Sequence, residues 1–188
     1  GPGPPDAQIG VLVACPFLGL VTVVNHHPDA NSATVHVNAL PFQPRWAVDM
    51  ITMQRIGINA GEGPGSCVFN VNLPGRNSQM IALLPEAPER VEVDVADADL
   101  RAGDELSYRA RIFGDGARPA RGTHLLEIAV TGPHGREVTR LGGSTATDGG
   151  ELTRSIALPV NALPGEYEIA VGVPQTGGEA HATFTVGQ

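Results

Sequence analysis

Residues 165–186 read GEYEIAVGVPQTGGEAHATFTV, and this stretch settles the fold class. Tyr167, Ile169, Val171 and Val173 recur at every second position. After the turn residues of 174–178, Ala180, Ala182, Phe184 and Val186 resume the same repeat. Successive side chains of a strand point to opposite faces, so each run is a strand with one buried face. The pattern continues upstream. Leu106, Tyr108, Ala110 and Ile112 alternate with Ser107, Arg109 and Arg111, and Val91, Val93 and Val95 alternate with Glu92 and Asp94. Further strands are predicted near 123–131, 136–141 and 150–158. Seven strands in about 100 residues, with turn signals every 8–12 residues, predict a β-sandwich over 90–188.

The first half shows the same grammar. Strands are predicted near 9–14, 18–24, 33–39, 46–52, 66–72 and 78–84, giving a second sandwich over 9–85. Pro- and Gly-rich turns punctuate it at 27–31, 40–44, 60–65 and 74–77, where these residues fix or permit the backbone angles a turn needs. Cys67, Phe69, Val71 and Leu73 share one face, with Val68, Asn70 and Asn72 on the other. Met80 to Leu84 is apolar on both faces, as in a central strand or one covered by a neighbouring domain. Residues 86–89, in the Pro-spaced acidic run after Leu84, read as a semi-rigid linker. Residues 1–8 begin Gly-Pro-Gly-Pro-Pro, without Met or a basic leader. They read as a flexible N-terminus or a cloning scar on a piece of a longer protein. The expectation is an all-β chain of two consecutive antiparallel β-sandwich domains, the second immunoglobulin-like.

Composition narrows the partners. The chain has 188 residues with 24 Gly and 16 Pro, yet 41% are hydrophobic, so it is turn-rich but able to fold. All 12 basic residues are Arg, set against 20 acidic ones, for a net charge of −8. Phosphate backbones and anionic membranes need a basic face, so neither nucleic acid nor a membrane surface is an expected partner. The apolar run 9–24 is broken by Pro16 and Gly19 and is shorter than the roughly 20 residues of a spanning helix.

The segment Arg101-Ala102-Gly103-Asp104-Glu105-Leu106 resembles the strand entry of macroglobulin MG2-like, immunoglobulin-like sandwiches. So do Val130 to Gly135, Gly149 to Leu152, Leu163-Pro164-Gly165-Glu166-Tyr167-Glu168-Ile169, and Ala182 to Val186. That resemblance spans about 90–186 and implies fold without implying one function. Over about 9–84 the chain resembles the small C-terminal β-sandwich of β-galactosidase-like glycoside hydrolases. The matching residues are Leu20 to Asn25, Val48-Asp49-Met50-Ile51-Thr52, Asn72-Leu73-Pro74-Gly75 and Met80 to Leu84. Met53 stands where that family usually has Gly, so the turn after Thr52 is expected to differ. The resemblance implies an appendage, because the catalytic carboxylates of those enzymes sit on a separate barrel.

Several clusters are candidates for chemistry. His26, His27 and Asp29, with His36 nearby, offer nitrogen and oxygen ligands of a kind zinc accepts. The competing reading is a polar turn, in which Asp and Asn bond their own backbone. Asp97 and Asp99, with Asp94 and Asp104-Glu105, offer oxygen ligands for calcium; the competing reading is a solvated acidic edge that resists sheet pairing. Gly61 to Gly65 resembles a phosphate loop in composition only, since a strand follows rather than a helix. Cys67 sits on an apolar strand face and reads as a buried thiol, or as half of a disulfide with Cys15, which would fit an oxidising compartment. Trp46, after the 41–44 turn, is the candidate platform for stacking on a sugar ring. No Ser lies in a Gly-x-Ser-x-Gly elbow.

The reading that emerges is a non-catalytic accessory or spacer pair, with no cofactor, from a larger secreted, periplasmic or cell-surface protein such as a carbohydrate-active enzyme. Its partners would be neighbouring domains of the parent chain. The alternative is an independent module binding polysaccharide or a surface protein through loops at the sandwich ends.

Overall fold

The computed structural model describes the backbone of residues 7–15 and the whole of residues 18–187. Strands dominate, and the only helical elements among the described residues are two three-residue 3-10 turns, Pro133–Gly135 and Thr139–Leu141. The chain divides into two compact units between Ala87 and Pro88.

The first unit contains β1 (Ala7–Cys15), β2 (Leu18–Asn25), β3 (Asn31–Val37) and β4 (Trp46–Asp49). It continues with β5 (Arg55–Ile56), β6 (Ile58–Ala60), β7 (Cys67–Leu73) and β8 (Ser78–Leu84). One sheet has the order β1-β2-β8-β4-β5 and the other β3-β7-β6. β2 and β7 repeat with period two, and the apolar faces of the two sheets meet. Val21, Val23, Ala47, Ile81 and Leu83 pack on Val35, Val37, Phe69, Val71 and Leu73, with Leu40 and Phe42 closing the core. Each such large apolar side chain stabilises the fold by about 1.5–3 kcal/mol.

β8 is a central strand, between β2 and β4, which accounts for its run of buried residues from Ile81 to Leu84. Met80 departs from that reading and is 43% exposed. The predicted strand 46–52 ends early, at Asp49. The Asp49 carboxylate accepts the Ile51 and Thr52 N–H groups at 2.8 and 3.2 Å, and the Met53 N–H closes on the Asp49 carbonyl at 2.8 Å. A local side-chain bond of this kind offers the backbone a turn in place of a ladder. Met53 takes φ 55, the left-handed conformation that favours glycine. The turn after Thr52 therefore keeps a glycine-like backbone with a methionine in it.

The second unit contains β9 (Arg90–Val95), β10 (Asp99–Arg101), β11 (Glu105–Phe113), β12 (Leu125–Gly132) and β13 (Arg136–Glu137). It ends with β14 (Gly143–Ala146), β15 (Glu151–Ala157), β16 (Gly165–Val173) and β17 (Gly178–Gly187). One sheet runs β15-β11-β9; the other runs β10-β17-β16-β12-β13, with β14 also on β12. The apolar faces read from the sequence meet in one core. Leu106, Tyr108, Ala110 and Ile112 come from one sheet, and Leu126, Ile128, Val130, Tyr167, Ile169, Val171, Phe184 and Val186 from the other. The Tyr167 and Phe184 rings stack at 5.2 Å.

One prediction needs correction here. The predicted strand 136–141 is a two-residue strand followed by a 3-10 turn, since Leu141 N–H bonds back to the Val138 carbonyl at 2.9 Å. Within the otherwise antiparallel second sheet, β10 pairs with β17 in parallel.

Candidate functional site

Asn25 organises the His26–Asp29 segment. Its side chain is 1% exposed and donates to the carbonyls of Asp29 and Pro74 at 2.9 and 3.1 Å, with a longer bond to Leu73. Its Oδ1 accepts the His27 N–H at 3.0 Å. His27 Nδ1 in turn accepts the Asp29 N–H at 3.2 Å, with the Asp29 carboxylate 3.7 Å away. A nitrogen that accepts from an amide has its lone pair committed to the turn. His26 and His36 are exposed. Only His27 and Asp29 of the first metal candidate come together.

In the second unit, Asp97 Oδ1 accepts the Asp99 N–H at 2.9 Å, and Asp104 Oδ2 accepts the Arg101 N–H at 2.7 Å. Asp94 pairs with Arg111 at 2.7 Å. Among the described residues no group of three His, Cys, Asp or Glu side chains is placed to hold a metal ion. The structure therefore gathers neither the zinc-type nor the calcium-type set, because its members build turns and cross-strand pairs.

Cys67 opens β7 with its side chain fully buried in the core, and among the described residues its thiol has no disulfide partner. Burial pushes it up to about 11 from 9.0, because a thiolate there would lose its hydration. A thiol so placed is neutral at pH 7 and a poor nucleophile. The Cys15 side chain lies outside the described residues, and with it the Cys15–Cys67 pairing.

Trp46 lies half-buried at the start of β4. The Arg55 guanidinium sits 4.3 Å from its ring centroid, a cation–π contact that occupies one face of the platform. The glycine-rich loop 61–65 is held as a hairpin connection. Gln43 clamps it by accepting the Gly65 N–H at 3.1 Å and donating to the Ser66 carbonyl at 3.0 Å. A Cβ on Gly65 would fall 2.1 Å from the Leu40 carbonyl, which explains glycine at that close approach.

Two surfaces were not singled out from the sequence. On the outer face of β3-β7-β6, Ser32 stands opposite Asn72, Thr34 opposite Asn70, and Val68 between His36 and Asn59. Ser32 Oγ donates to Asn72 Oδ1 at 2.7 Å and Thr34 Oγ1 to Asn70 Oδ1 at 2.8 Å. None of these outward residues is Asp, Glu or Arg. The second surface is a groove of about 360 Å³ on the outer face of β12-β16, walled by Glu127, Glu137 and Glu179 over Ala129, Ala170 and Gly172. His181 lies beside it, 3.4 Å from Glu168 and 3.6 Å from Glu179. The sequence signal for the first surface was present in the alternation of β7. The residues named for the second come from four strands, β12, β13, β16 and β17.

No protein-family model matches the chain, and no curated protein matches it. Among solved structures, it is similar to the adhesin InvE of Yersinia pseudotuberculosis at 12% identity, over 91% of this chain and 54% of that one, with a TM-score of 0.45. The chain thus spans about half the length of that adhesin chain. A β-glucosidase from Listeria innocua matches at 14% identity over 69% of this chain and 19% of its own, TM-score 0.35. A polysaccharide lyase matches at 10% identity over 99% of this chain and 35% of its own, TM-score 0.37. At these identities and scores the likenesses carry no functional assignment.

Proposed function

We propose that the two sandwiches form a non-catalytic accessory or spacer pair of a larger secreted or cell-surface protein, one that works on carbohydrate. The observation that carries this is the fate of the reactive side chains. Asp49, Asp97, Asp104 and His27 are engaged in backbone turns, and Cys67 is buried and held protonated. The Asp and His groups are spent on turns, and Cys67 on the core of the first unit. The second unit we class with immunoglobulin-like sandwiches. Tyr167, near the start of β16, donates its hydroxyl to the Leu163 carbonyl at 3.0 Å, and a tyrosine bonding back to the corner before its strand is a hallmark of that fold.

The experiment is an immunoblot of the source organism's secreted and surface fractions with an antibody to this chain. The reading expects a band well above the mass of 188 residues. A band at that mass, or one confined to the cytosol, would contradict it and move the weight to an independent binding module.

A further inference from the structure

We propose that the outer face of β3-β7-β6 is a binding face for a neutral polysaccharide. The inference rests on the reading of the chain as a carbohydrate-associated module and names the surface and ligand class within it.

The chemistry is that of uncharged hydrogen bonding. Asn70 and Asn72 stand two residues apart on β7, so their amides repeat at about 6.8 Å along the strand. Thr34 and Ser32 each donate to the neighbouring amide oxygen at 2.8 and 2.7 Å. Those two bonds hold both amide oxygens, and the Nδ2 groups are the donors the two amides have to offer a ligand. The hydroxyl oxygens of Ser32 and Thr34 keep their lone pairs and can accept. A row of paired donors and acceptors on a flat sheet matches the hydroxyls of a sugar chain, which offer the same mixture.

Charge selects the ligand class. The chain carries a net −8, which repels uronate or sulfate polymers. The face itself carries no Asp, Glu or Arg, so it offers nothing to a cationic partner; the glutamate groove of the second unit would be the place for one. The row continues at its Asn72 end into a groove of about 340 Å³ lined by Ala30, Asn31, Ser32, Asn72, Leu73 and Pro74. A chain lying on the amides would run into it. Among the described residues β3 is an edge strand, paired with β7.

The test is affinity electrophoresis of the full chain in native gels containing hydroxyethyl cellulose, galactomannan or glycogen, with polygalacturonate as the anionic comparison. Retardation is expected in at least one neutral gel and none in polygalacturonate. The Asn70→Ala/Asn72→Ala variant should lose at least about tenfold in affinity, since each side contributes more than one neutral hydrogen bond. Ser32→Ala/Thr34→Val is a second variant, should the first fail to show the wild-type circular dichroism. It should weaken binding by freeing the amides to rotate. No retardation in any neutral gel overturns the proposal, while the spacer reading, which needs no ligand, stands. Retardation that both folded variants share with the wild type overturns the face and leaves the carbohydrate association in place.

Discussion

Asn25 ties three backbone carbonyls and one backbone N–H to a single buried amide. Truncating it removes all four hydrogen bonds of a side chain in a residue that is 1% exposed. Asn25→Ala should therefore lower stability by about 2–3 kcal/mol, read as a lower urea midpoint; a loss under a few tenths would mean that water replaces the amide. Cys67 gives a pH signature. Its folded value is raised to about 11 from 9.0, so its stabilising effect is complete below pH 9 and is lost as the pH rises toward 11. Tyr108 is also raised by burial, against the opposing pull of Arg154, and acts in the same direction. The difference between wild type and Cys67→Ala isolates the thiol. Stability should fall less steeply between pH 9 and 11 in the variant, and parallel slopes would show that Cys67 ionises in the folded protein as it does unfolded. The buried thiol was legible in the alternation of β7; the role of Asn25 was not, since it is one polar residue at a strand end and its partners lie up to 49 residues away.

At the scale of elements, legibility followed length. Strands of seven residues or more, such as β7, β11, β16 and β17, hold several turns of the two-residue repeat and were read with the correct inward faces. β5, β10 and β13 have two or three residues, too few to establish a period, and they form because neighbouring strands offer ladder partners. The truncation of β4 had a local cause, the Asp49 carboxylate, that competed with extension. Turns read as turns, but not what they dock against. Gly75 shows the difference. A Cβ there would lie 1.7 Å from the Pro28 carbonyl, because the 74–77 turn nests against the 26–30 turn through the Arg76 N–H to His27 carbonyl bond of 2.8 Å. Gly75→Ala should separate the two turns and cost at least about 2 kcal/mol. An unchanged thermal midpoint would mean that the turns are not held together.

For the whole molecule, the sequence was enough for an all-β class, because alternation and turn spacing are summed over many strands. The candidate metal sets were not decidable at that stage. Whether a carboxylate faces an ion or its own backbone depends on turn geometry, as Asp97 and Asp104 show. The same holds for Trp46, whose ring is covered by an arginine nine residues later in the chain. As proposed, this pair of sandwiches is non-catalytic and does no chemistry on carbohydrate. The most direct measurement is the release of reducing ends by the purified, folded chain from a panel of neutral and acidic polysaccharides. The account predicts no release above buffer for any of them. Release that scales with protein concentration and vanishes when the chain is unfolded would contradict it.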